Sequence, residues 1–223
     1  MGRPALVPQV IKQLLDLILE GRIKPGDQIN QNLLAKELGI SPTPLREALH
    51  ALAGEGLVRF SKAAGVQVSP LTTAGITENT ELALALEIVA LRKAIPLLTE
   101  EDLDELDRIL DRIGSLKDKQ EWYPLTWSFY HRLLSPSGFD SFLELIRKTI
   151  FQAMLVLPLF AKVRPKVLSE EPNLRTVMAA CRRRDVEGAI AALESFNRRA
   201  CQATVDLIQD RLEADRDLPA ISQ

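Results

Sequence analysis

A chain of 223 residues with 46% apolar and 26% charged side chains has enough apolar material for a packed core, which excludes a disordered polymer. A formal net charge of −2 excludes a strongly basic nucleic-acid coat, and without an apolar run of about 18 residues no membrane span is expected. Cys181 and Cys201 are too few for a disulfide frame and are expected to be reduced, packed thiols of a cytoplasmic protein.

The N-terminus, MGRPALVPQV, has no apolar core followed by a small-residue cleavage site, so no secretion signal is expected. Residues 1–75 hold 8 Lys/Arg and 6 Asp/Glu, whereas the remainder holds 20 and 24. A mildly basic head therefore precedes an acidic body, the asymmetry of a small DNA-binding module joined to a part that does not touch DNA.

From Pro8 to Glu20 the residues Val10, Ile11, Leu14, Leu15, Ile18 and Leu19 recur at helical spacing, and Gly21 is placed to end the helix. Pro25-Gly26-Asp27 makes a turn. Asn30 is expected to cap a second helix running through Leu38, with Gly39 just beyond it. Ser41 is expected to cap a third helix, with Pro42 at its first position, where a missing N–H costs nothing. That helix runs through Leu45, Ala48, Leu49 and Leu52 to the Gly54–Gly56 break. Leu57–Phe60 and Val66–Val68 then read as two short strands joined by a hairpin containing Gly65.

A helix, a helix-turn-helix and a β-hairpin in this order form a winged helix-turn-helix. Its third helix is the one whose N-terminal residues would face base edges in the major groove. Ser69–Thr72 reads as a linker. The rest is expected to be helical over about 75–98, 100–113, 120–134, 139–163, 166–184 and 187–212, with Thr99 capping an acid-rich start. The fold class is thus mainly α: a winged helix-turn-helix over 1–71, an all-helical antiparallel bundle over 72–213, and a polar tail over 214–223.

The segments GRIKPGDQI (21–29), LAKELGISPTPLREAL (34–49), LxxEGLV (52–58) and the wing Gly65 resemble the GntR family of bacterial regulators. Within it the chain is similar to the FadR-like group, whose C-terminal domain is called FCD. The likeness extends more loosely through FYHRLL (129–134) and AACRRRDVEGAIAAL (179–193). It implies a homodimer that binds a short DNA palindrome with its two heads and a small effector in its helical domain. Carried onto this chain, the family's DNA contacts fall on Ser41, Thr43, Arg46, Lys62 and Gly65, with Asn32 at a phosphate-contacting position. The chemistry suits these roles. Arg46 can bind a guanine edge or a phosphate in bidentate fashion, and hydroxyls at a helix N-terminus suit phosphate oxygens. The alternative for Arg46 is a salt bridge to Glu47 or Glu55. Many relatives have Arg where this chain has Pro42 and Ala64, which points to weaker binding or a different half-site.

Many FCD domains hold a divalent metal with one Asp and three His. The matching positions here are Trp127, His131, Leu174, and Phe196 or Asn197, and the whole chain has only His50 and His131. No metal and no other cofactor is expected, because one imidazole among hydrocarbons cannot hold such an ion tightly. Relatives that take carboxylate effectors often carry an Arg four residues before a Glu; here the Glu is Glu87 and the earlier position is Ala83. The expectation is a pocket rebuilt for a larger or more apolar ligand, lined by Trp127, His131, Phe151, Met154, Leu155, Leu174 and Phe196. The alternative is that these side chains fill a core and plug the former site, leaving an effector-independent DNA-binding protein. Arg182-Arg183-Arg184 reads as a solvated face or as neutralising a helix C-terminus, the alternative being a contact to DNA or an anionic ligand.

An enzyme is not expected. There is no P-loop, dinucleotide fingerprint, nucleophile elbow or HExxH motif. The expected partners are an operator duplex, a small effector and a second copy of the chain.

Overall fold

The structure, a computed structural model, describes residues 6–61, 65–116, 121–156 and 173–216. Of these, residues up to Leu71 together with 151–156 form one compact unit, and the remainder form a second.

In the first unit, α1 (Leu6–Leu19) buries Val10, Leu14, Leu17 and Ile18 along one side. It begins two residues ahead of the expected start, because Pro8 falls within the first turn, where no N–H is required. Helix α2 spans Gln31–Glu37, and the Asn30 side chain accepts a hydrogen bond from the Leu33 N–H at 3.1 Å, as a cap should. Gly39, at φ +67°, turns the chain into the next helix with a left-handed conformation that suits glycine.

Helix α3 (Pro42–Gly54) packs Leu45, Ala48, Leu49 and Leu52 against α1 and α2. Ser41 is its N-cap by position, but the hydroxyl makes no capping hydrogen bond. The sequence limits its partners: a capping hydroxyl bonds the N–H of the second or third helical residue, and the third here is Pro44, which has none, so only Thr43 is left. Strands β1 (Val58–Ser61) and β2 (Gly65–Val68) pair antiparallel, with Val58 opposite Val68 and Phe60 opposite Val66. The Pro25–Ile29 turn adds an edge to this hairpin: Ile29 N–H donates to Val66 and Val68 N–H to Asp27, at 2.8 and 3.0 Å.

The second unit is helical. It contains α4 (Thr73–Ala94), which runs into a 3-10 turn (Ile95–Leu97), then α5 (Glu100–Gly114) and α6 (Trp122–Leu134). These are followed by α7 (Asp140–Gln152), α8 (Leu174–Arg182) and α9 (Val186–Arg216). Thr99 and Asp102 form a reciprocal capping box at the start of α5. Asn173 and Thr176 form another at α8, a start the periodicity of the sequence does not disclose. Within the described part of the expected 139–163 helix, α7 gives way to a 3-10 turn over Ala153–Val156. Residues 157–172, which hold the rest of that expected helix and the start of the next, lie outside the described residues.

Leu91, Ile95, Leu103, Leu106, Phe129, Leu133, Val177 and Leu193 centre the core of this unit. Around it, two arginines of the 182–184 run make contacts to other helices of the unit. Arg182 bridges to Asp104 and Asp107 of α5 at 2.9 and 2.6 Å, and Arg184 donates to the Ile95 carbonyl at 2.6 Å, closing the end of α4.

The two caps of the first unit make opposite expectations. Asn30→Ala should destabilise the protein by about 1 kcal/mol, the usual worth of an N-cap. Ser41→Ala should leave the urea midpoint within experimental scatter, because no capping bond is lost. Equal losses for the two variants would contradict this geometry.

Candidate functional site

The exposed side of α3 is set by what the other side buries. With Leu45, Ala48, Leu49 and Leu52 inside, the residues left in water are Pro42, Thr43, Arg46, Glu47, His50, Ala51 and Gly54. Arg46 Nε donates to Gln31 Oε1 of α2 at 3.2 Å, and it bonds neither Glu47 nor Glu55. Its terminal nitrogens make no hydrogen bond among the described residues, so one edge of the guanidinium is anchored and the other is presented outward. Gln31 sits beside Asn32, which is exposed on α2, and this contact brings the two helix starts together. Because Pro42 and Pro44 have no N–H, the donors left at the α3 terminus are few, and Ser41 and Thr43 are both exposed there. A helix N-terminus with hydroxyls beside it is suited to a phosphate oxygen.

On the wing, Gly65 is exposed and lies at φ +66°, where glycine is favoured. Lys62 lies outside the described residues. Arg59 Nε and Nη2 both donate to Gln67 Oε1 across the hairpin, at 2.9 and 2.6 Å. One contact was not foreseen in the sequence: the imidazole of His50 on α3 stacks face to face on Phe60 of β1, centroids 4.3 Å apart and planes 12° apart.

Of the seven residues expected to line an effector pocket, Trp127, His131, Leu174 and Phe196 lie in the helical unit, and Phe151, Met154 and Leu155 belong to the first unit. Trp127 and His131 meet edge to face with centroids 5.1 Å apart. His131 is exposed, however, and lines an open depression with Glu101, Glu105, Arg108, Ser128 and Arg132. Helix α6 buries Leu125, Phe129, Tyr130, Leu133 and Leu134, and the 100° step from Tyr130 to His131 carries the imidazole to the outer flank. Leu174 and Phe196 are each 8% exposed and belong to the core of the helical unit. Phe151 is buried within the first unit, and Met154 lies in the 3-10 turn grouped with it.

The polar chemistry of the helical core lies one residue away from two of these positions. Glu87 of α4 is 2% exposed, and the Asn197 side chain of α9 donates to its Oε2 at 2.9 Å. Burial pushes the Glu87 carboxyl up to about 7, opposed by the Asn197 hydrogen bond. The Tyr130 hydroxyl is held well above the usual phenol range, first by burial and then by Glu87, with Asn197 acting the other way. One turn before Tyr130, the Thr126 hydroxyl is buried without a hydrogen-bond partner among the described residues. A signal for this cluster was present in LALALEIVAL (82–91), where a single acid interrupts an apolar run. Cys181 is also fully buried, which pushes its thiol up to about 12, so it serves as a packed apolar group.

Comparison with known proteins bears on both units. The model of the gntR family of bacterial regulatory proteins matches residues 6–68, and the FCD domain model matches residues 78–199. The chain belongs to the GntR family of bacterial regulatory proteins and carries an FCD domain. Its relatives are named as regulators and not as enzymes.

The uncharacterized HTH-type transcriptional regulator YdhC of Bacillus subtilis is 34% identical over 103 residues, which are 46% of this chain and 46% of that protein. The match thus spans about half of YdhC. The HTH-type transcriptional regulator McbR of Escherichia coli is 27% identical over 197 residues, 84% of this chain and 87% of that one. The solved structure of E. coli McbR/YncC superposes with a TM-score of 0.70 at 25% identity, covering 93% of this chain and 99% of that one.

In this GntR regulator the residues at the FCD metal positions do not fit an ion. Trp127, Leu174 and Phe196 offer no lone pair suited to a divalent cation, and His131 faces the surface depression. Among the described residues, no group of three His, Cys, Asp or Glu side chains is arranged to hold one. No helix among them is long and apolar enough to cross a membrane.

The Glu87 carboxyl gives a stability profile with a defined sign. Its folded value of about 7 exceeds the ordinary 4.5, so between those values the folded state holds a proton that the unfolded chain has released. Stability from this group therefore falls as pH rises through that window, by about 3 kcal/mol in all. Glu87→Gln removes the dependence. The difference in unfolding free energy between variant and wild type should move in favour of the variant from about pH 4.5 to about pH 7.5. A difference that stays constant with pH would show that Glu87 titrates normally.

Proposed function

We propose that this protein is a ligand-responsive transcriptional regulator that binds a short palindromic operator as a homodimer and represses from it. The observation that carries the DNA reading is the bare side of α3. Thr43 and Arg46 stand exposed at the start of a helix whose other side is fully buried, with Arg46 steadied by Gln31. On this reading Asn32, Ser41 and Thr43 contact phosphates, Arg46 reads a base edge or clamps a phosphate, and Lys62 and Gly65 form the wing contact. The protein acts in the cytoplasm, where its DNA is. Leu82 and Val89, exposed seven residues apart on α4, support association of two copies through the helical domain.

For the effector, the buried Glu87–Asn197–Tyr130 cluster and the Thr126 hydroxyl, which has no partner among the described residues, support a ligand with polar groups held within the helical unit, with Trp127, Leu174 and Phe196 among its lining. Such a ligand would release the operator by favouring the free arrangement over the DNA-bound one, since only a difference in affinity can shift that balance. One observation favours a second reading: Leu174 and Phe196 are packed into the core, as expected if they plug the former site and the protein binds DNA without an effector.

The DNA reading is tested by selecting duplexes from a random-sequence pool with the full chain. An inverted repeat should emerge, and Arg46→Ala should weaken its binding by about 1–3 kcal/mol if Arg46 reads a base. Selection of no duplex would refute the reading. Organic acids, aromatic acids, sugar acids and acyl-CoA esters can then be screened by thermal shift, with and without chelator. A rise in melting temperature for one class, indifferent to chelator, is expected of a metal-free effector site. No shift from any class, with loss of stability on chelation, would instead reveal a metal.

A further inference from the structure

We propose that His50, held in place by Phe60, is a further contact to the DNA backbone, and that the stacked pair fixes the wing against the recognition helix. The proposal rests on the DNA-binding reading above. His50 lies four residues beyond Arg46 and seven beyond Thr43, a spacing that places all three on one side of a helix, and all three are exposed. Seven residues advance about 10 Å along the axis, close to the major-groove width of about 12 Å. With the α3 N-terminus over base edges, the His50 position therefore stands at the rim of the groove, where the phosphates are.

The stack sets which part of the imidazole is available. At 4.3 Å and 12° from Phe60, one ring face is covered, while both nitrogens lie in the imidazole plane at the ring edge, which stacking on the face does not occupy. One of those nitrogens carries a hydrogen in either charge state, so a donor for a phosphate oxygen is always present. Phe60 is 45% exposed, and its neighbour Arg59 is tied to Gln67 across the hairpin. Phe60 and Arg59 alternate across β1, so the ring, and not the guanidinium, is the wing's contribution beside His50.

The full chain and its His50→Ala, His50→Lys, Phe60→Leu and Arg46→Ala variants would be titrated, across a salt series, against two probes. One is the duplex that the wild type selects from a random pool. The other is a random-sequence duplex of equal length. His50→Ala should weaken binding to both by about tenfold, since a phosphate contact carries no sequence information. His50→Lys should restore binding and steepen the slope of log affinity against log salt by about 0.9, the signature of one added phosphate charge. Phe60→Leu should give an intermediate loss, with no further loss when combined with His50→Ala.

A purely structural His50 would not be rescued by lysine and would not move the salt slope. Wild-type affinity for His50→Ala, or an unchanged slope for His50→Lys, overturns the proposal. Loss of binding in Arg46→Ala beside an unaffected His50→Ala would leave the DNA reading standing and remove His50 alone. If the wild type binds neither duplex, both fall together.

Discussion

The burial of Leu45, Ala48, Leu49 and Leu52 fixes the rotation of α3 about its own axis, and the surface the helix presents to solvent follows from that one constraint. Each of the three leucines gains about 1.5–3 kcal/mol on leaving water, so turning the helix by a single residue step would expose most of that gain. The rotation being fixed, Thr43, Arg46 and His50 have no choice but to face solvent. Their finer placement then comes from neighbours: Gln31 steadies the guanidinium, and Phe60 covers one face of the imidazole. The head thus presents side chains whose rotamer freedom is partly spent before any DNA arrives, which lowers the entropic cost of binding.

The helical unit is organised around the opposite problem. Its core contains a carboxyl group that water does not reach, satisfied by one amide from α9 and lying beside a phenol from α6. Desolvation outweighs that single hydrogen bond, which is why the proton is retained to about 7. A core built only for stability would place a hydrocarbon at Glu87, since an incompletely paired buried charge is costly. Keeping a titratable group there makes the cohesion of α4, α6 and α9 sensitive to whatever donates a hydrogen bond or a proton to that position.

Much of this architecture was legible in the residues. The stripes of α1 and α3, the Asn30 cap, the Thr99–Asp102 box and the hairpin around Gly65 are local features, in which neighbours in sequence are neighbours in space. The misreadings share a cause. Ser41 looked like a complete cap because the effect of Pro44, three residues on, was left out. His131 was read as a pocket anchor, yet one residue step on a helix separates the core from the surface, and Tyr130 holds the inward position. The His50–Phe60 stack joins a helix to a strand ten residues later, and no periodicity encodes such a meeting. The arginine run, expected as a solvated face or as neutralising a helix C-terminus, does close one, Arg184 donating to the Ile95 carbonyl at the end of α4, while the acids that Arg182 meets on α5 are supplied only by the tertiary fold.

The two prolines at the head of α3 do more than remove donors. A helix is difficult to begin, because several dihedrals must be fixed before the first hydrogen bond rewards them. Pro42 and Pro44 hold two of those φ angles near helical values even in the unfolded chain. Helix α3 therefore begins with two of its backbone angles already set, which lowers the entropy lost when its first turn orders.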